Sequence, residues 1–159
     1  MMPRLCLITI LLCIMLSMSL YGQESPDLEG VYERVSLINL TTGQALDPTQ
    51  RGLLMMAQGY YSMMTIKPDR PILEQGKRPE DLPKDDQIAF LHEWLKLNAH
   101  TGPYEVEGDT LIWHRDLSEN PREVGTVSRL PYQLRDDLLV IHFNLSNGSR
   151  WEWKWRKIR

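Results

Sequence analysis

Residues 150–156 read RWEWKWR, and this stretch decides the fold. Charged and aromatic side chains alternate along it, which is the period-two pattern of a β-strand that has one face toward solvent. Charges that lack partners are too costly to bury, so the charged face must meet water. We therefore expect Trp151, Trp153 and Trp155 to face inward, toward a core that this strand helps to enclose.

Seven further runs rich in β-branched and aromatic residues precede this strand, separated by turn signals such as Asn147-Gly148. The eight predicted strands are 30–40, 51–57, 60–66, 102–107, 110–117, 124–135, 138–145 and 149–158. Polar neighbours assign the inner faces of the later strands to Tyr104, Val106, Leu130, Tyr132, Leu134, Leu139, Ile141 and Phe143. In the first strand the inner face stays open between two sets: Tyr32, Arg34, Ser36 and Ile38, or Val31, Glu33, Val35 and Leu37.

One segment between the third and fourth predicted strands changes its period. Apolar residues recur there at helical spacing and predict one amphipathic helix over residues 85–98. The residues that carry this pattern are Ile88, Leu91, Trp94, Leu95 and Ala99. Short antiparallel strands leave exposed edges unless their sheet closes. The sequence therefore predicts a mainly-β fold, a closed eight-stranded up-and-down barrel with one inserted helix, which is either a lid over the open end or a plain cover.

The order and spacing of several short pieces resemble one protein family. These pieces are Leu28-Glu29-Gly30-Val31-Tyr32, Gly59-Tyr60-Tyr61, Thr101-Gly102-Pro103-Tyr104, Gly108-Asp109-Thr110 and Val124-Gly125-Thr126. Together they resemble the lipocalin-like domain of bacterial secreted and uncharacterised proteins, from about residue 28 to residue 159 without 72–98. The resemblance implies a calycin-type barrel with a cup, and it implies no particular substrate. Where that family usually carries Gly-x-Trp, this chain has Gly30-Val31-Tyr32, and the tyrosine would plug the barrel floor.

The first residues have the pattern of a secretory signal peptide. Arg4 precedes an apolar run that extends from Leu5 to Leu20, and small residues follow it. We predict a signal peptide over 1–22, with cleavage at Gly22–Gln23 or, as the other option, at Ser19–Leu20. The barrel domain is then 23–159, in a secreted or periplasmic protein with no stable membrane span after cleavage. The alternative is an uncleaved anchor helix.

Composition excludes several functional classes. The chain has 159 residues and a formal net charge of −3, so it offers no excess of positive charge for a nucleic acid. Both cysteines fall within the predicted signal peptide. The four histidines, His92, His100, His114 and His142, form no metal-binding spacing, and no nucleophile motif occurs. We expect no metal, no cofactor and no catalytic residue.

The inward aromatic residues point to a cup for a small apolar or amphipathic ligand, because an eight-stranded barrel has room for one. The predicted ligand-binding residues are Tyr32, Arg34, Tyr104, Trp113, Tyr132, Phe143, Trp151 and Trp153. In this interpretation Arg34 either meets an acidic group of the ligand or stacks on an aromatic ring.

Two alternative functions remain open at this point. The first is an enzyme of isomerase or hydratase type on the same barrel, with His114 or Tyr132 as the proton carrier. The second is an interaction module for a protein or the cell envelope, with a filled core and an apolar helix patch that includes Trp94.

Overall fold

The computed structural model of the chain describes residues 27–46 and 50–159, and in these ranges it contains nine β-strands and one α-helix. The strands are β1 Gly30–Asn39, β2 Arg51–Ala57, β3 Tyr60–Ile66, β4 Leu97–Glu107, β5 Thr110–His114, β6 Leu117–Ser118, β7 Val127–Arg135, β8 Leu138–Asn144 and β9 Arg150–Lys157. The helix α1 is Lys84–Trp94, and a short 3₁₀ turn at Pro79–Asp81 precedes it. The predicted signal peptide, residues 1–22, lies outside the described residues.

Eight of these strands form a closed antiparallel barrel. From β1 to β5 each strand pairs with the next along the chain, and β5 then pairs with β7, β7 with β8 and β8 with β9. β9 returns to pair with β1, and the two-residue β6 pairs with β4. Every pairing is antiparallel, and the closure between β9 and β1 leaves the barrel without a long free edge. The mainly-β, eight-stranded up-and-down barrel predicted from the sequence is confirmed, with its helix between the third and fourth strands.

The clearest boundary difference lies where the helix ends. The apolar spacing predicts a helix as far as residue 98, whereas α1 ends at Trp94 and β4 begins at Leu97. Leu97, Asn98 and Ala99 pair with β3 instead, opposite Ile66, Thr65 and Met64. The backbone hydrogen bonds of that ladder replace the last helical turn, because a strand that extends β4 also closes the barrel.

The inward orientation of the final strand is confirmed. Trp153 and Trp155 have exposed fractions of 6% and 0%, and Trp151 is half-buried. The charged neighbours lie on the outer face, where Glu152 contacts Lys154 at 2.9 Å and His142 at 3.4 Å. The side chains assigned to the inner faces of the later strands also contribute to the core or pack against it.

The inner face of β1, which the sequence left open, changes along the strand. Arg34 lies opposite Trp155 and Leu37 lies opposite Trp153, and the register shifts between Arg34 and Ser36. A bulge inserts one residue into the strand and moves the inward face from one alternating set to the other. Tyr32 and Arg34 therefore face inward before the bulge, and Leu37 faces inward after it.

The two ends of the barrel differ in their connections. At one end lie three two-residue turns, at residues 58–59, 108–109 and 136–137. Tyr32 Oη donates to the carbonyl oxygen of Leu28 at 2.9 Å there, so the incoming chain and the tyrosine together close this end. The other end carries the longer connections, residues 40–50, 67–96, 115–126 and 145–149.

The helix α1 belongs to the connection 67–96 and contributes no buried side chain. Ile88, Leu91 and Leu95 are exposed on it. Trp94 is held by its own connection: its Nε1 donates to the carbonyl oxygen of Pro71 at 2.9 Å, and the Arg70 guanidinium lies 4.1 Å from the centre of its ring. The helix has 11 residues, and no helix in the described part of the chain has the length and apolarity needed to cross a bilayer.

Gly102 in β4 offers a direct test of this packing. A Cβ built on Gly102 would lie 1.9 Å from the carbonyl oxygen of His114, which is backbone and cannot move aside. We expect Gly102→Ala to reduce the free energy of unfolding by about 3 kcal/mol or more, measured by denaturant titration. A matched control is Gly59→Ala in a turn, where nothing lies within 4 Å of the added Cβ. Its positive φ should cost only about 1 kcal/mol. Equal losses in the two variants would contradict the packing described here.

Candidate ligand-binding cavity

The end of the barrel with the longer connections holds a partly open cavity of about 540 Å³. This volume falls within the range of small-molecule sites. Its apolar and aromatic walls are Leu37, Trp113, Leu130, Ile141, Phe143 and Trp153. Its polar lining includes Thr65, Asn98, His100, Arg115, Glu123 and Ser128. Residues of the surrounding connections form the rim: Leu46, Gln50, Lys67, Lys96, Leu97, Asn144 and Leu145.

Three of the predicted ligand-binding residues, Trp113, Phe143 and Trp153, are brought together in this cavity. They come from β5, β8 and β9; β8 and β9 are neighbours in the sheet, and β7 lies between β8 and β5. The rings of Phe143 and Trp153 lie 5.9 Å apart between centroids at an angle of 57°. The structure thus places the aromatic part of the predicted site on one side of the cavity.

Three other predicted residues, Tyr32, Tyr104 and Tyr132, do not line this cavity and belong to the core at the closed end. Tyr32 is fully buried, and burial raises the pKa of its hydroxyl to about 12. Tyr132 Oη donates to the carbonyl oxygen of Gly108 at 3.5 Å, in the turn between β4 and β5. Alternation along a strand assigns these tyrosines to the inner face but does not give their height along the barrel axis.

The last two predicted residues, Arg34 and Trp151, lie beside the cavity rather than in its lining. Arg34 points inward, and its Nη1 donates to the backbone carbonyl oxygen of Gln50 at 3.3 Å and to the side-chain oxygen of the same residue. Trp151 stacks on Phe143, with ring centroids 6.4 Å apart, and its Nε1 donates to Ser149 Oγ at 2.9 Å. Both side chains therefore support residues of the rim or wall.

An aromatic cluster that the sequence analysis did not single out forms part of the cavity. Tyr61 stacks on Trp113, with ring centroids 4.5 Å apart and an angle of 10°. His100 lies 5.4 Å from each of these rings, and its Nδ1 is 2.9 Å from Tyr61 Oη. His100 is 5% exposed. The sequence pattern places His100 between the predicted helix 85–98 and the predicted strand 102–107, whereas in the structure it lies within β4. The inward orientation of His100 therefore does not follow from the predicted strands.

The polar groups of this cluster are uncharged at neutral pH. Burial, followed by the positive charge of Arg115, lowers the pKa of His100 to about 3. Burial raises the pKa of Tyr61 to about 12. The 2.9 Å contact between Tyr61 Oη and His100 Nδ1 is therefore a hydrogen bond between two neutral groups.

Arg115 is a partly buried cation of the lining, with its side chain 17% exposed. It lies two residues after the inward Trp113, so the alternation of β5 directs it inward, and a bulge follows it: Tyr104 pairs with Trp113, whereas Thr101 pairs with Leu117. Arg115 Nη1 donates to Ser128 Oγ at 2.6 Å and to Thr126 Oγ1 at 3.4 Å. Its Nε lies 3.3 Å from a carboxylate oxygen of Glu123, without the angle of a hydrogen bond.

Several donors in the barrel have no acceptor. The Nε1 atoms of Trp113, Trp153 and Trp155 are buried and have no hydrogen-bond partner in the described ranges. Trp113 and Trp153 line the cavity. A buried indole N–H normally finds a partner, but protein atoms cover these two nitrogens, so a molecule in the cavity would contact the faces and edges of the rings rather than these N–H groups.

The other histidines lie away from the cavity. His114 Nε2 is 3.1 Å from a carboxylate oxygen of Glu105 on the outer face of the barrel. His142 contacts Glu152 on the same outer surface, and His92 lies on α1. The proposed proton carriers His114 and Tyr132 are thus not in the lining of this cavity. Among residues 27–46 and 50–159, no three His, Cys, Asp or Glu side chains are grouped as metal ligands would be.

A wider depression of about 670 Å³ lies on the outer face of β2 and β3. Leu53, Met55 and Met64 line it, and each is about half exposed. It has no aromatic residue in its lining, and its apolar side chains Leu53, Met55 and Met64 come from the solvent face of the two strands. We therefore regard the barrel interior as the better candidate site, although the outer depression is larger.

Comparisons with known proteins give little beyond the fold. No protein-family model matches the chain, and no curated protein matches it. Among solved structures, the chain is similar to a de novo designed fluorescence-activating β-barrel, with 14% sequence identity and a TM-score of 0.42. That match covers 82% of this chain and 93% of the designed one. The function must therefore be inferred from the cavity itself.

The lowered pKa of His100 predicts an acid-sensitive fold. The unfolded chain takes up a proton near the ordinary imidazole value of 6.5, whereas the folded protein does so only near 3. Stability should therefore be complete above about pH 6.5 and should fall by about 1.4 kcal/mol per pH unit as the pH drops toward 3. Denaturant titrations between pH 6 and pH 4.8 should show this slope in the wild type and a flatter one in His100→Gln. Identical slopes in the two proteins would contradict the buried, neutral state of His100.

Proposed function

We propose that the protein binds a small hydrophobic or amphipathic molecule in the barrel cavity, without chemical conversion. One observation carries this proposal: a space of about 540 Å³ has walls formed by Trp113, Phe143 and Trp153, and its polar lining includes Thr65, Asn98 and Ser128. Burial of an apolar body against these rings supplies affinity, and the polar lining supplies orientation. We also propose that the barrel is a lipocalin-like domain, a proposal that rests on the sequence resemblance.

The chemistry of the cavity favours binding over catalysis. A general acid or base works best when its pKa is near the operating pH. The pKa of His100 is lowered to about 3 and that of Tyr61 is raised to about 12, so neither group exchanges a proton readily near pH 7. The isomerase or hydratase hypothesis would have to rely on one of these two groups, because His114 lies on the outer face.

An interaction module with a filled core is the other candidate function. Two of its expected features, an apolar helix surface and a packed interior, are present in part. The helix α1 exposes Ile88, Leu91 and Leu95, and the closed half of the barrel is filled. The open half is not filled, however, and Trp94 of the helix is engaged by Arg70 and Pro71. The cavity is therefore the better-supported site.

Ligand binding can be tested by occupying the cavity with a larger side chain. Leu37 lines the cavity opposite Trp153, and Leu37→Trp adds bulk there. We expect this variant to reduce the affinity for the neutral dye N-phenyl-1-naphthylamine at least tenfold, measured by dye fluorescence and calorimetry. The matched control is Leu53→Trp, because Leu53 is 49% exposed on the outer face. The control should bind the dye as the wild type does.

Two results would contradict this proposal. The first is the absence of saturable binding of the neutral dye to the wild type. The second is an equal loss in Leu37→Trp and Leu53→Trp, which would place the dye on the outer surface. Thermal unfolding of all three proteins checks that the fold is retained.

We also propose that the protein is exported and acts in a secreted or periplasmic location. The apolar run from Leu5 to Leu20 after Arg4 supports this proposal. Mass spectrometry of protein recovered from outside the cytoplasm should find a chain that begins at Gln23 or, for the other cleavage option, at Leu20. Recovery of the chain with Met1 intact, only in the cytoplasm, would contradict it.

A further inference from the structure

The residues that line the cavity reverse the charge balance of the chain. The whole chain carries 21 acidic and 18 basic residues. The lining has four cationic side chains and a single carboxylate, that of Glu123. The cations are Lys67, Lys96, Arg115 and Arg129. A cavity with this lining attracts an anion, although the protein as a whole carries net negative charge.

Not all four cations act equally, because two of them have acidic partners away from the cavity. Lys96 contacts Glu93, and Arg129 contacts Glu107. Arg115 is different, since its side chain is 17% exposed and its acidic neighbour, Glu123, is itself part of the lining. Lys67 lies at the rim, at the start of the connection 67–96. The positive charge that a ligand would meet below the rim is therefore that of Arg115.

Arg115 can only donate hydrogen bonds, because a guanidinium group has N–H donors and no acceptor. Its Nη1 donates to Ser128 and Thr126, whereas its Nε lies 3.3 Å from a carboxylate oxygen of Glu123 without hydrogen-bond geometry. A carboxylate brings two acceptor oxygens together with a negative charge, and it therefore matches a guanidinium group better than a neutral polar group does.

Glu123 already occupies the position that such a carboxylate would take. It lies in the connection 115–126 with its side chain 39% exposed, and one of its oxygens is 3.3 Å from Arg115 Nε without hydrogen-bond geometry. This ion pair is therefore incomplete, and the Glu123 side chain has room to move into solvent. A carboxylate that is better aligned with Arg115 would form the charge-assisted hydrogen bond to Nε that Glu123 does not form.

From the excess of positive charge in the lining and the incomplete ion pair of Arg115 we infer that the ligand of the cavity is an amphipathic organic acid, and that its carboxylate replaces Glu123 beside Arg115 while its apolar body lies against Trp113 and Trp153. The inference rests on the proposed function, which it narrows to one class of ligand. It assigns opposite roles to two residues that contact each other: Arg115 binds the acid, and Glu123 competes with it.

The experiment compares acids with uncharged partners of the same shape. The purified protein is loaded with N-phenyl-1-naphthylamine, which is then displaced at pH 7.5 by dodecanoate, dodecanol, 2-naphthoate or 2-naphthol. We expect at least one acid to bind at least tenfold more tightly than its alcohol. The two pairs distinguish a flexible chain from a planar ring system as the apolar body.

Variants of the two contacting residues should shift this preference in opposite directions. Arg115→Gln should reduce the affinity for the preferred acid at least tenfold and leave dye affinity within twofold. Glu123→Gln should raise the acid affinity about threefold or more, because the competing charge is gone. The matched control is Arg156→Gln at the closed end, where the side chain is 53% exposed. This variant should change neither the affinity for the acid nor the affinity for the dye.

The outcomes separate the two proposals. If the dye does not bind to the wild type, the proposed function itself fails. If the dye binds but acids and alcohols compete equally, the ligand is not an acid, and the proposed function stands without this inference. If Arg115→Gln does not fold, Glu123→Gln decides alone: unchanged or weaker acid binding in that variant would overturn the inference.

Discussion

The barrel depends on the rule that unpaired charge stays in water. In β9 this rule forces every second side chain outward, and the remaining positions then carry three indole rings into the core. The strand pairs with β8 on one side and β1 on the other, so it is also the strand that closes the sheet. Trp155 is fully buried at the closed end, and Trp153 reaches the cavity. The alternating sequence of β9 thus supplies a core residue at the closed end of the barrel and also part of the candidate site.

The same alternation explains how much of the structure could be predicted. A period of two identifies each strand and its inner face, and the turn signals between the strands, together with the change of period in the inserted helix, give their order. What a period of two cannot give is the distance of an inward side chain along the barrel axis. For that reason Tyr32 and Trp153 carried equal weight in the predicted site, although one plugs the closed end and the other lines the cavity.

A bulge accounts for a further difference between expectation and structure. The register shift between Arg34 and Ser36 turns Leu37 inward. A bulge adds one residue without a distinctive composition, so it cannot be read from a single sequence. Arg115, by contrast, lies on the inner face by simple alternation from Trp113, although the sequence analysis did not single it out.

The positions at which the described chain enters and leaves the barrel have a practical consequence. Val31 N donates to the carbonyl oxygen of Arg159 at 2.9 Å, and Ile158 N donates to the carbonyl oxygen of Val31 at 2.8 Å, both at the floor opposite the cavity. Anything joined covalently to the protein at this floor, such as a fusion partner or a solid support, would be held on the far side from the opening. The protein could then be attached through residues near Val31 or near Arg159, and small molecules would still reach the cavity from the open end of the barrel.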